Sequence, residues 1–296
     1  MSLVINNNMM AANTARNLNA HYSNLATSTQ RLSTGLRVNS AADDAAGLAI
    51  RELQRADIAA LHQGARNATD AISMIQTADG AMGVIDEKLI RLKELAEQAA
   101  TGTYDSTQRL MIESEYQAMA SEITRIANAT DFNGIHLLNG TLSGEHDGSG
   151  INATGRMKIH FGSGNDSAED YYYITIGNVT ASALGVGNQA SVDADGYTVS
   201  TQAAAQKALN AINEAIISKD KIRAHLGAMQ NRLENTITNL NVQAENLQAA
   251  ESRISDVDVA TEMTQFVRNQ ILTQSAVAML GQANSLPQMA MQLIGG

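Results

Sequence analysis

A single proline, Pro287, stands in 296 residues. Proline ends helices because it lacks a backbone donor and its ring collides with the preceding turn. A chain almost free of it can carry helices much longer than the usual three turns. The rest of the alphabet points the same way: 44% of residues are hydrophobic and only 3% aromatic, with no Trp, so Ala, Leu, Ile, Val and Met make up most of the apolar set.

Apolar positions recur at helical spacing. Leu18, Tyr22, Leu25, Thr29, Leu32 and Leu36 step by three and four, as one seam of a helix facing a partner. Leu61, Ala65, Ala68, Ile72 and Ile75 form a second run, which resumes as Met82, Ile85, Leu89 and Leu92 after a break in phase near Asp79. Ile112, Tyr116, Met119, Ile123 and Ile126 form a third. A fourth runs from about Leu209 through Leu226, Met229, Leu233, Leu240, Ala244 and Leu247 towards Ile254. Ser40, Asp43 and Asp44 are candidate N-caps for the second helix.

The third run ends at Asp131-Phe132-Asn133-Gly134, and Asn139-Gly140 follows; Asn-Gly pairs around a short apolar stretch predict a hairpin. Residues 141–200 differ in kind, with ten glycines, four tyrosines and seven acidic residues against two basic ones. Their alternating segments, 157–161 and 172–176, predict a small β-rich insert, which its polarity places outermost. The predicted fold is mainly α: long antiparallel helical rods and a coiled-coil bundle built by the N- and C-terminal parts. A short β-hairpin and the β-rich outer insert complete it. The two helical parts must come together, because neither buries its apolar stripe alone.

Several chemistries are poorly served. Without cysteine there is no disulfide, thiolate zinc site or cysteine nucleophile. The histidines at 21, 62, 136, 146, 160 and 225 are scattered and form no His-Glu-x-x-His pair. Asp193-Ala194-Asp195-Gly196 opens like a calcium loop but lacks its closing Glu. No catalytic, metal or cofactor site is expected. A formal net charge of −10 without a basic patch argues against nucleic acid.

The ends are unusual. The first positive charge is Arg16, so the charged and apolar regions of a secretory signal are missing from the opening residues. From Asn269 onward there is no charged side chain, yet the longest apolar run is Ala276–Leu280, too short to span a bilayer. Such an uncharged, amphipathic terminus is expected to be buried against something else. Head-to-tail contacts of this kind extend into an open helical filament when their rotation does not close a ring.

Particular segments resemble bacterial flagellins. The stretch from Leu32 to Gly47, with its Asn39-Ser40-Ala41-Ala42-Asp43-Asp44, is similar to the family's N-terminal signature, as is the opening Ile5-Asn6-x-Asn8. Asn67 to Ser73, Arg91 to Ala96 and Asp131 to Gly134 continue the likeness. Ser252-Arg253-Ile254, with Asp256, Asp258, Ala260 and Glu262, begins its C-terminal half, and Gln270 to Leu272, Gln282 to Asn284, Pro287-Gln288 and Leu293 complete it. The resemblance covers roughly 1–140 and 200–296.

It implies a non-enzymatic subunit of the flagellar filament used in swimming, exported through the flagellar type III channel to the cell exterior. Residues 1–43 and 253–296 match the inner filament core, 44–140 and 200–252 the surrounding helical bundle, and 141–199 the exposed insert. The inter-subunit core is expected to include Leu18, Tyr22, Leu25, Leu32, Phe266, Ile271, Leu272, Val277 and Leu280. The hairpin residues Asp131, Phe132, Asn133, Gly134 and Asn139 map to the layer to which the family attributes polymorphic switching. Arg91, Leu95 and Glu115 match contacts for the animal Toll-like receptor that senses flagellin. Further implied partners are copies of itself, an export chaperone, the filament cap and hook-junction proteins, with no membrane span. The alternatives are a hook-filament junction protein of the same superfamily and, more remotely, an enzyme carried by the insert.

Overall fold

The computed structural model describes residues 8–149, 154–167 and 169–294. Ile5 and Asn6 lie outside the described residues. The helices are α1 (Met9–Thr34), α2 (Ala45–Ala100), α3 (Ser106–Ala129), α4 (Ala181–Leu184), α5 (Gln202–Ser255) and α6 (Val259–Ile294). Two antiparallel hairpins interrupt them: β1 (Asp131–Phe132) with β2 (Ile135–His136), and β3 (Met157–His160) with β4 (Tyr171–Ile174). No helix among the described residues is long and apolar enough to cross a membrane.

Asp44 is the cap of α2, its Oδ1 accepting from Gly47 N at 2.8 Å, whereas Asp43 accepts from the backbone of Ser40 just outside the helix. Gln108 Oε1 accepts from the Asp105 backbone N–H, one half of the capping box that starts α3. The phase break near Asp79 does not interrupt α2. Ala78, fully buried, carries the seam from Ile75 to Met82 at steps of three and four, while Asp79 beside it accepts two hydrogen bonds from Arg223 of α5, at 2.7 and 3.0 Å.

The chain divides into two compact units. One, Ala59–Ala244, holds an apolar core in which Met74, Ile75, Met82, Ile85, Leu89 and Leu92 of α2 meet Tyr116 and Ile123 of α3 and Ile212 and Leu226 of α5. Leu137 and Leu138, fully buried, tether the chain after the first hairpin. The second hairpin rests directly on α2. A Cβ on Gly64 would stand 2.0 Å from the Phe161 carbonyl oxygen, so only glycine fits there, and Asn67 Nδ2 donates to His160 O at 2.8 Å. Among the described residues the expected β-rich insert is realised in these two four-residue strands and two isolated bridges, Asp147 with Thr154 and Val186 with Gly196, with turns and α4 for the remainder. Its glycines favour tight turns over ladder pairing.

The other unit comprises the residues up to Ile58 and those from Glu245 onward. Here α1 packs against α6. Leu36 bridges Asp256 in antiparallel fashion, Val257 N donates to Gly35 O at 3.0 Å and Arg37 N to Ser255 O at 2.6 Å.

Candidate functional site

The terminal unit buries few side chains, and most of those are polar. Among its described residues the buried apolar side chains are Val38 and Ala283, while Ser28, Arg51, Ser255, Glu262 and Thr273 are buried polar ones. Glu262 lies 3.6 Å from Arg31, and Arg51 donates to Val38 O at 2.9 Å. Meanwhile Met9, Met10, Tyr22, Val259, Met263, Val267, Ile271, Leu272, Val277 and Met279 stand exposed.

At 100° per residue, Glu262, Thr273 and Ala283 share one side of α6, and Val259, Met263, Val267 and Ile271 spread round the others. A helix with apolar residues on several faces normally buries each of them, whereas α6 has α1 on one side and leaves these residues in water. At ~25 cal/mol per Å² of apolar area, covering that surface would stabilise the terminal unit.

Of the expected inter-subunit residues, Tyr22, Ile271, Leu272 and Val277 are exposed, with Ile271 at 57%. Leu18, Leu25, Leu32, Phe266 and Leu280 are half-buried. All nine therefore keep surface to offer.

Arg91 and Glu115 meet on the surface of the other unit. The Arg91 Nε and Nη2 both donate to Glu115 Oε1, at 3.0 and 2.7 Å, and Nη1 donates to Glu94 Oε2 at 2.9 Å. These two carboxylates, Glu115 foremost, hold the guanidinium more firmly protonated than usual. Leu95 lies beneath, 1% exposed, within the core.

The hairpin turn has Asn133 and Gly134 in the left-handed region, at φ 52° and 80°. That is the conformation an Asn-Gly turn supplies cheaply. Asp131 Oδ2 accepts from Gly134 N at 3.1 Å, and Asn139 Oδ1 from Thr141 N at 3.1 Å. Asp131, Asn133 and Gly134 are exposed, and Phe132 and Asn139 half-buried.

Two sets of residues escaped the sequence reading. Asn8 caps α1, accepting from Ala11 N at 3.0 Å, and its Nδ2 donates to Ala283 O at 2.7 Å. Lys219, 1% exposed, binds Asp86 at 2.5 Å and Asp220 at 2.8 Å. A signal existed for the latter, since acidic residues at 79 and 86 interrupt an apolar run while basic ones at 219 and 223 interrupt another.

Residues 5–143 match the model of the bacterial flagellin N-terminal helical region, and residues 209–294 that of the bacterial flagellin C-terminal helical region. The chain belongs to the bacterial flagellin family. This flagellin is 40% identical over 292 residues to the flagellar filament 33 kDa core protein of Treponema phagedenis, covering 99% of this chain and 100% of the relative. With the flagellin of Bacillus subtilis it shares 41% identity over 304 residues, 98% of this chain and 99% of the other. A solved Vibrio parahaemolyticus structure described as flagellar hook-associated covers 72% of this flagellin with a TM-score of 0.54 at 14% identity, a likeness of fold alone. Both matched regions are helical by description, and in this flagellin they hold α1 to α3 and most of α5 with α6.

Proposed function

We propose that this flagellin polymerises head-to-tail into the flagellar filament, a structural rather than catalytic role, outside the cell. The observation that carries this is the apolar surface that the α1–α6 pair leaves uncovered: Ile271, Leu272, Val277 and Met279 face solvent, and Leu18, Leu25, Leu32, Phe266 and Leu280 are only half-buried. Copies of the same helices are the natural cover, because self-association buries these surfaces reciprocally without a second gene product.

In this reading 1–43 and 253–296 form the inner core, with the nine residues from Leu18 to Leu280 at its contacts. Residues 44–140 and 200–252 form the surrounding bundle, and 141–199 its outer face. The exposed turn Asp131–Gly134, with Phe132 and Asn139 at its base, lies where a neighbouring copy could select between two packings. Before assembly the exposed helices need an export chaperone, and at the two ends of the polymer the same surface meets the cap and the hook-junction proteins. The Arg91–Glu115 pair, supported from below by Leu95, is the surface offered to the animal flagellin receptor.

Seeded growth tests the proposal. Purified monomer added to filament fragments should extend them to micrometre lengths, while a chain lacking about its last 30 residues should stay soluble and helical and fail to extend them. Fibres from the truncated chain would defeat the reading, and short, self-limiting assemblies from the full chain would move it to the junction-protein class.

A further inference from the structure

The solvent-facing side of the β3–β4 hairpin gathers every basic side chain of residues 141–200. Arg156 and Lys158 are the only Lys or Arg there, and His146 and His160 the only His. The register sets Lys158 opposite Tyr173 and His160 opposite Tyr171, so these four share one face, while Ile159 and Ile174 are buried on the other. Lys158 Nζ lies 3.6 Å from the Tyr171 ring centroid, and the Arg156 guanidinium carbon 4.8 Å from that of Tyr173. The two tyrosine rings meet edge to face at 5.4 Å, and the His146 ring is 5.3 Å from Tyr173.

Seven acidic residues occupy the same window, yet among the described residues neither Lys158 nor Arg156 has a carboxylate partner. The Nε of Arg156 is buried without a hydrogen-bond partner. Nearby carboxylates are committed to backbone: Asp170 accepts from Asp166 N at 2.7 Å, and Asp147 from Ser149 N at 3.0 Å. The ring faces hold the two cations instead, which leaves their outward N–H groups for an external acceptor. In a chain with ten excess negative charges, two cations kept clear of carboxylates are a local site for an incoming anion.

We propose that this face binds an acidic polysaccharide, its carboxylates on Lys158 and Arg156 and its hydroxyls on the imidazoles and tyrosine hydroxyls. A nucleic acid also needs open aromatic faces for its bases, and Lys158 and Arg156 already cover the Tyr171 and Tyr173 rings. Two cations beside hydrogen-bonding aromatics match a uronate chain, which presents one carboxylate and several hydroxyls per sugar. One such site is weak, and repetition along a polymer would multiply it; only that amplification rests on the filament reading.

The test is retention of the full-chain monomer on immobilised polygalacturonate at about 50 mM salt, where screening is modest. Expected are retention that falls as salt rises, no retention on neutral dextran, and roughly tenfold weaker binding for Lys158→Gln or Arg156→Gln, the loss of one charge-assisted hydrogen bond. Lys207→Gln, beside Asp195, should bind as the parent does. Circular dichroism of each variant should match the parent, and galacturonate oligomers should compete where polyglutamate does not. No retention at low salt, retention indifferent to both glutamine variants, or equal displacement by polyglutamate or single-stranded DNA would overturn the site. A chain that binds as a monomer but never extends a seed would sink the filament reading and leave the site standing.

Discussion

The side-chain amide of Asn8 donates to the carbonyl of Ala283 at 2.7 Å, joining the start of the first helix to a point deep in the last. That carbonyl is available for a reason written in the sequence. In an α-helix it would accept from the N–H four residues on, and that residue is Pro287, which has none. The one proline in the chain thus frees an acceptor that the opposite end of the chain satisfies.

The two positions should therefore be coupled. Asn8→Ala removes both the α1 cap and the bond to Ala283, and should loosen the helix pair by about 2 kcal/mol. In a Pro287→Ala background the helix supplies its own donor, and the same change should cost about 1 kcal/mol less. Amide hydrogen exchange across α1 in the four proteins of the cycle measures the difference; additive effects would disprove the coupling.

In the other unit, Lys219 and Asp86 form an asymmetric pair. The Lys219 side chain is 1% exposed, whereas Asp86 keeps 32% of its surface. Lys219→Met leaves a carboxylate that water can reach, and should cost below about 1 kcal/mol. Asp86→Asn leaves a buried ammonium with only the exposed Asp220, and should cost about 2–3 kcal/mol. Urea unfolding of the two variants gives the order, and a reversed order would contradict the burial argument.

Tyr116 gives a pH dependence at the alkaline end. It is fully buried and donates to Gly196 O at 2.7 Å. Burial pushes its pKa up, with the nearby Glu113 charge adding to the effect. The neutral form is thus favoured in the fold: stability is intact below the ordinary tyrosine pKa and falls as pH rises past it, because the unfolded chain ionises first. Spectrophotometric titration of the seven tyrosines should show a late-titrating signal to which Tyr173 also contributes, and Tyr116→Phe should remove the Tyr116 part of that signal together with its share of the alkaline instability.

Asp79 works in the opposite direction. The hydrogen-bonded Arg223 guanidinium holds its carboxyl below the usual range, so its contribution is present above that range and lost as pH falls through it. Both side chains are substantially exposed, at 44% and 37%, which limits the effect to below about 1 kcal/mol. Asp79→Asn should flatten that part of the acid-unfolding curve, and a steeper curve would reject the pairing as its source.

How much of this was legible in the sequence depends on whether the deciding force was periodic. The seams from Leu61 to Leu92 and from Ile112 to Ile126 became buried helix faces, because spacing alone selects the face. The Asn133-Gly134 turn followed from its left-handed preference. The break near Asp79 misled because Ala78, buried between Ile75 and Met82, continues the seam, and the ion pair that Asp79 makes is to a residue 144 positions away, which no local pattern encodes. Asn8 escaped for the same reason, its partner being 275 positions distant. The buried polar positions of α6 were hidden too: Glu262 and Thr273 have polar side chains, and only the packed helix pair shows them buried. On the outer hairpin, the sequence marked Tyr172 and Ile174 as strand residues, but gathering Arg156 and Lys158 over tyrosine rings required the β3–β4 register.

The central claim is that α1 and α6 are left incomplete in the single chain and are finished by other copies. Amide hydrogen exchange over residues 259–294, measured for the monomer in dilute solution and again after seeded assembly, tests it most directly. The account predicts exchange within seconds to minutes in the monomer, while the buried core around Met82 and Leu89 stays protected, and strong protection of both regions in the polymer. Protection of 259–294 in the monomer equal to that of the core, unchanged on assembly, would contradict it.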